Sequence, residues 1–135
     1  MFNPALAVAA ENVKTHKLDG RIQLLQGDLF DPIIAELDKS KFDLILCNPP
    51  YVTAAEYEKL DKNIKNHEPH NALAAGPDGL DIYRKIAQNL DNFLKPDAAL
   101  ILEIGYAQGT AVKEILEQNA SFSEIKIEKD FSNND

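Results

Sequence analysis

Asn48, Pro49, Pro50 and Tyr51 are the residues of this chain best placed to do chemistry. They follow directly on a nearly unbroken apolar run, Phe42-Asp43-Leu44-Ile45-Leu46-Cys47. A residue that precedes proline is pushed out of the right-handed helical region toward extended backbone. Asn48 precedes Pro49 and Pro49 precedes Pro50, so two consecutive residues are held extended. Proline has no N–H to form competing hydrogen bonds. The Pro49 carbonyl and the Asn48 side-chain oxygen then make a rigid pair of acceptors, suited to the two hydrogens of a planar –NH2 group. Tyr51 offers a flat face against such a group. An amide or aromatic amine is a poor nucleophile because its lone pair is delocalised, so aiming the nitrogen at an electrophile is itself catalysis. The plain alternative is an ordinary proline-rich turn leaving a strand.

Four other side chains invite a chemical reading. Asp28, in Gly27-Asp28-Leu29-Phe30, follows an apolar segment and could accept a hydrogen bond from a ligand amine, but position alone favours a turn residue capping a short helix from Pro32 to Leu37. Glu103 interrupts an apolar run, and a lone carboxylate there is costly unless paired or wet. It is therefore either structurally paired or part of a site. Cys47 has no basic neighbour in sequence to activate a nucleophile and reads as a small buried hydrophobe. His16 reads as a solvated histidine at a helix end.

The elements that must carry these residues alternate between helical and strand patterns, which indicates an α/β sheet. Met1 to Lys17 reads as a helix with Asn3 as N-cap, Pro4 in the first position, and Leu6, Ala9, Ala10 and Val13 on one face. Gly20 closes that unit. Arg21–Gln26 reads as a strand. Phe42–Cys47 reads as a parallel strand covered on both faces, and a ligand is expected beyond the carboxyl end of such a strand. Thr53 to Leu60 reads as a short helix, and the rest of Val52–Gly79 as a long functional loop, a flap on the substrate side. Leu80–Leu94 has the clearest helical stripe, with Tyr83, Ile86, Ala87, Leu90, Phe93 and Leu94. A buried strand is expected over Ala98–Ile104, a helix over Gln108–Gln118, and a last strand over Phe122–Glu128. Phe131 to Asp135 reads as a turn.

Composition narrows the function classes. The chain has 135 residues, 44% of them apolar, which suits one domain or part of one. Its 22 acidic residues outweigh 14 basic ones, for a net charge of −8. A broad nucleic-acid surface needs clustered Lys and Arg and is disfavoured. The single cysteine leaves no disulfide framework and no Cys-rich metal site. Apolar runs fall far short of the ~18 residues that a membrane span needs. There is no signal-peptide pattern at the N-terminus. A reducing cytoplasm fits best.

The Asn48–Tyr51 motif resembles that of S-adenosyl-L-methionine-dependent methyltransferases acting on planar nitrogens. The wider pattern is narrower. His67-Glu68-Pro69, Asn71-Ala72-Leu73, Gly76-Pro77-Asp78-Gly79-Leu80, Tyr83-Arg84, Leu94-Lys95-Pro96 and Leu102-Glu103-Ile104-Gly105 together resemble the HemK-like release factor glutamine methyltransferases. The resemblance runs through nearly the whole chain. It implies a Rossmann-like class I methyltransferase fold, with residues 1–135 as part of the catalytic domain. It implies S-adenosyl-L-methionine as cofactor, with Asp28 and Leu29 flanking the adenine and Asn48 near the methyl group. Asn48 would bind the substrate amide, Pro49 and Pro50 would shape the acceptor pocket, and Tyr51 would line it. The substrate would be the Gly-Gly-Gln glutamine of peptide chain release factors, methylated by direct displacement without a metal. In the family a Gly-rich cofactor loop and a ribose-binding acid precede the equivalent of Met1, and a further strand follows the equivalent of Asp135. On that reading the chain is truncated, binds the cofactor weakly alone, is inactive alone, and exposes strand edges that invite self-association. The motif by itself also fits adenine or guanine amino-group methyltransferases of DNA or RNA. A non-catalytic fragment that keeps only the turn is the third reading.

Overall fold

The computed structural model describes residues 4–36, 41–118 and 122–129. The chain divides into two compact units, Met1–Ser40 and Lys41–Asp135.

In the first unit, helix α1 spans Pro4–Thr15. Leu6, Ala9 and Val13 are half-buried along one stripe, whereas Ala10 is exposed. The expected N-cap Asn3 lies outside the described residues. The helix stops at Thr15, two residues short of the expected Lys17, and the closing turn is made at Lys17 and not at Gly20. Lys17 takes a positive φ of 56°. Its N–H bonds the Lys14 carbonyl and the Leu18 N–H reaches back to Val13, which is a Schellman closure. Arg21–Gln26 does not form a strand. Arg21 and Ile22 spend their N–H groups on the Leu18 carbonyl, and Ile22 remains 43% exposed. An alternating pattern becomes a strand only where a neighbour completes its ladder, and among the described residues none does. Helix α2 spans Asp31–Glu36. Its expected last residue, Leu37, lies outside the described residues.

The second unit is built on two parallel strands, β1 at Phe42–Cys47 and β2 at Leu94–Leu102. β1 has the bounds expected of it. β2 starts four residues early, because Leu94 already pairs with Phe42. The register then steps to Leu44 opposite Ala99, so Lys95-Pro96-Asp97-Ala98 bulges out across from Asp43. Pro96 has no N–H to lose there, and Asp97 takes the left-handed conformation at φ 63°. Lys95 Nζ reaches Asp43 at 2.8 Å across the bulge, holding that carboxyl below its usual pKa.

Between the strands lie helices α3 at Ala54–Lys59, α4 at Lys62–His67 and α5 at Asp81–Asn89. Helix α6 follows β2 at Gly109–Glu117. The stripe expected on α5 is the core: Tyr83, Ile86, Leu90 and Phe93 are each no more than 2% exposed. Burying side chains of this size contributes roughly 1.5–3 kcal/mol apiece. The α-helix itself stops at Asn89. A 3-10 turn over Leu90–Asn92 follows, and Leu94 belongs to β2. Val112 and Leu116 of α6 complete the cluster with Tyr83, and Leu100, Leu102 and Ile104 pack against it.

β1 is not covered on both faces as expected. Leu44 is 48% and Leu46 68% exposed, and Ile101, paired with Leu46, is 57% exposed. Period-2 alternation puts Ile45, Leu100 and Leu102 on the opposite face, where the core helices pack. Phe122–Glu128 is not a strand either. Phe122 and Ile125 pack on the core cluster, but this segment joins no ladder among the described residues. The tail from Phe131 lies outside the described residues. No helix among those described is long and apolar enough to cross a membrane.

One electrostatic feature marks the start of α5. Arg84 Nη2 meets Asp78 Oδ2 at 2.5 Å, and Arg84 Nη1 meets Asp81 at 3.2 Å. The Arg84 hydrogen bond and then the Leu80 N–H pull the Asp78 pKa down to about 2 from 3.8. A carboxylate with a depressed folded-state pKa stabilises fully above its unfolded value and loses that contribution as pH falls through the folded one. The unfolding midpoints of the parent and an Asp78→Asn variant should therefore differ above about pH 4 and converge toward pH ~2. Urea titrations at several pH values check this. A gap that is constant with pH would show that Asp78 acts through something other than its charge.

Candidate functional site

The turn after β1 begins where the ladder ends. The Glu103 N–H bonds the Cys47 carbonyl at 3.0 Å, the last backbone link between the two strands. Asn48 is exposed, Pro49 is buried, and Pro50 and Tyr51 are half-buried. Among the described residues the Asn48 side chain and the Pro49 carbonyl have no hydrogen-bond partner, so both acceptors are free. This is the arrangement expected from the residue types: a buried proline anchors the turn while an amide stands clear beside it.

Below the turn the backbone is pinned. Val52 donates to Leu73 and accepts from Ala75, both at 2.9 Å, and makes a parallel bridge to Ala74. Ala54 donates to Gly76 at 3.0 Å. The Val52–Gly79 segment is thus no loose flap. Thr53 caps α3 with a full capping box, its hydroxyl accepting from the Glu56 N–H while the Glu56 carboxylate accepts from the Thr53 N–H. The Thr53 hydroxyl, donating to the Glu56 carboxylate at 2.8 Å, and then the Thr53 N–H keep the Glu56 pKa below its usual value. Asp61 caps α4, accepting from Asn63 N–H at 2.7 Å. Tyr57 and His70 meet edge to face, 4.6 Å between ring centroids, with Lys65 over the Tyr57 ring. These contacts set two short helices, α3 and α4, into the long polar stretch.

Glu103 resolves as a paired carboxylate at the site. It is exposed, and its Oε1 accepts from the Tyr51 hydroxyl at 3.3 Å. Its backbone carbonyl accepts from the buried Tyr83 hydroxyl at 2.9 Å. Partial burial and then the Glu103 charge push the Tyr51 phenol up, so it stays protonated at neutral pH. Cys47 is half-buried, not fully buried as expected, and that burial pushes its thiol up, against a nucleophile.

Asn48, Pro49, Pro50 and Tyr51 lie together in one turn of the second unit. Asp28 and Leu29 belong to the first unit. There Asp28 is exposed, its carbonyl accepting from the Asp31 N–H at 3.0 Å ahead of α2, which suits the turn reading. Among the described residues its carboxylate has no hydrogen-bond partner. Leu29 is half-buried in the left-handed conformation, φ 46°. The side chain that sequence reasoning missed is Gln108, read there only as a helix start; its amide bonds the Tyr51 carbonyl at 3.0 Å.

The family model for the methyltransferase small domain matches residues 3–75. A release factor glutamine methyltransferase of Fusobacterium nucleatum subsp. nucleatum is 39% identical over 132 residues, covering 97% of this chain and 36% of the relative. One from Caulobacter vibrioides is 40% identical over 131 residues, covering 97% and 44%. A bifunctional methyltransferase of Rickettsia typhi is 42% identical over 111 residues, covering 82% and 21%. The chain spans less than half the length of each of these relatives.

Proposed function

The chain belongs to the methyltransferase small domain family, and from that premise we propose that it holds the acceptor side of a Rossmann-like methyltransferase acting on the side-chain amide of a glutamine. The substrate is the Gly-Gly-Gln glutamine of peptide chain release factors. The observation that carries this reading is the turn itself. Its two acceptors without a partner among the described residues, the Asn48 amide oxygen and the Pro49 carbonyl, stand on a buried proline anchor at the carboxyl end of a parallel strand. The similarity to release factor glutamine methyltransferases over 97% of the chain supports the choice of amide. The net charge of −8 speaks against a nucleic-acid substrate.

The methyl donor is S-adenosyl-L-methionine, and the residue types fit it. Taken unit by unit, the first offers the exposed Asp28 carboxylate for an exocyclic amine and the Leu29 side chain for a ring face, and the second offers the Asn48 amide. When bound, this cofactor supplies an electrophilic methyl group on a sulfonium. The chain's own residues orient the nucleophile. Asn48 Oδ1 and the Pro49 carbonyl each accept one N–H of the glutamine amide, which fixes the amide plane and directs the face of its nitrogen. Neutral Tyr51, tethered to Glu103, packs against that plane. Holding the reacting groups in one geometry is the source of the rate. The carbon–sulfur bond of the sulfonium would break as the carbon–nitrogen bond forms, releasing a neutral thioether, and one amide proton would pass to solvent.

The test uses this chain, alone and joined behind the preceding segment of the F. nucleatum relative. Each form is incubated with labelled methyl donor, release factor, and DNA or RNA. Label should appear on release factor and disappear when its Gly-Gly-Gln glutamine is replaced. Label on nucleic acid with none on release factor would select the adenine or guanine amino-group reading. No label on any acceptor in either form would favour a non-catalytic role.

A further inference from the structure

We propose that Gln108 is the positioning residue of the acceptor turn, holding the Tyr51 carbonyl and, through it, the orientation of Asn48 and of the Pro49 carbonyl. This rests on the acceptor reading given above for what the turn does, but not for how the turn is held.

Gln108 is the residue before α6, yet its side chain makes no capping bond to its own helix. It turns back instead to three other points of the chain. Nε2 donates to the Tyr51 carbonyl at 3.0 Å and to the Gly79 carbonyl at 3.3 Å. Oε1 accepts from the Gly105 N–H at 3.1 Å. A primary amide carries two N–H donors beside one carbonyl acceptor. The site presents two carbonyls and one N–H, which is its complement. The partners fix the amide orientation, since a flip would set oxygen against two carbonyls.

The space for this side chain is built into two glycines. A Cβ on Gly105 would stand 2.8 Å from Gln108 Oε1, and one on Gly79 would stand 2.6 Å from Nε2. The anchor is firm as well. The Gln108 carbonyl accepts from Val112, and Val112 and Leu116 seat α6 in the core at 4% and 8% exposure.

The turn needs an outside hold because it has little of its own. Asn48 through Pro50 make no hydrogen bond among the described residues, and neither proline has an N–H to give. Their fixed φ angles make the stretch a stiff link. Its upstream end is set by β1. Its downstream end is set by Val52 and by the Tyr51 carbonyl, and Gln108 is the only side chain that bonds that carbonyl among the described residues. The other tether of Tyr51, its hydroxyl to exposed Glu103 at 3.3 Å, fixes the ring and not the backbone.

Two variants separate this role from simple support of α6. Gln108→Glu keeps an oxygen for the Gly105 N–H but sets a carboxylate against two carbonyls. Gln108→Leu removes all three bonds. By NMR on the chain, both variants should move the Asn48 side-chain amide and Tyr51 ring resonances and leave the Val112 and Leu116 methyls in place. Gly105 amide exchange should rise only in Gln108→Leu. Turn resonances that return to the parent positions in Gln108→Glu would overturn the proposal, leaving Gln108 as a support for the Gly105 turn. In a form that transfers methyl groups, Gln108→Glu should lower kcat about 10- to 100-fold with KM for the methyl donor unchanged. A parent that transfers to no glutamine would sink the acceptor reading alone, and the NMR comparison would still decide Gln108.

Discussion

Asn48→Ala should lower the rate of methyl transfer by ~10²-fold while leaving the protein as stable as before. The two halves of that expectation come from the same fact. Asn48 is exposed and its side chain has no partner among the described residues, so its removal leaves no buried group unsatisfied. Surface substitutions of that kind stay within about ±0.5 kcal/mol. Alanine before proline keeps the extended backbone, because the restriction comes from the proline ring. What disappears is one of two acceptors that set the plane of the substrate amide. A factor of ~10² corresponds to about 2.7 kcal/mol of barrier, the scale expected when a reacting group is no longer held in its productive orientation. Asn48→Gln extends the test. It keeps the amide but moves it by one methylene, about the ~1 Å misplacement that also costs ~10²-fold. The check is single-turnover rates at saturating substrate in a form of the protein that transfers, beside thermal midpoints for each variant. Unchanged rates in Asn48→Ala would reduce Asn48 to a turn residue.

Local grammar made some of this structure legible in the sequence. β1 stops where two prolines and an asparagine stop it, and Thr53 with Glu56 announces α3 through a capping box. The α5 stripe identifies the core because helical spacing and burial coincide there. α4 was not legible. In Lys62–His67 only Ile64 is apolar, so no periodicity shows, and its one signal is the Asp61 cap. The strands expected over Arg21–Gln26 and Phe122–Glu128 fail for the converse reason. Alternation is written in one segment, whereas a ladder depends on a second. The site divides along the same line. The free acceptors of Asn48 and Pro49 follow from adjacent residues. The Gln108 hydrogen bonds join positions 57 and 29 residues apart, and no local pattern carries them.

Those distant hydrogen bonds converge on Gly79, and Gly79→Ala should destabilise the protein more than any other single-methyl change near the site. Gly79 sits at φ +75°. For an L-residue that left-handed conformation costs roughly 1–2 kcal/mol. The added methyl would also run into the Tyr51 carbonyl oxygen and stand 3.3 Å from Thr53 Cγ2. The first of these is backbone pinned between the two prolines and Val52, and it cannot swing aside as a flexible side chain would. Crowding a packed site typically costs about 1–3 kcal/mol more. Together the two effects come to roughly 2–5 kcal/mol, a large share of the ~5–15 kcal/mol that holds a typical domain folded. In a domain of this size the thermal midpoint should fall by on the order of 10 °C. The relief available is to push the Gly79 turn away from Tyr51, which would also break the Gln108 bridge between their carbonyls. Gly76→Ala is the informative partner. Gly76 too has a positive φ, 88°, but there a methyl would meet the Asp81 carboxylate, a side chain that can move, and not backbone. Calorimetry on both variants should show Gly79→Ala losing the larger stability, and NMR should show its Tyr51 resonances displaced while those of Gly76→Ala stay close to the parent. Equal losses with an undisturbed Tyr51 would mean that the positive φ alone matters and that the turn does not lean on Gly79.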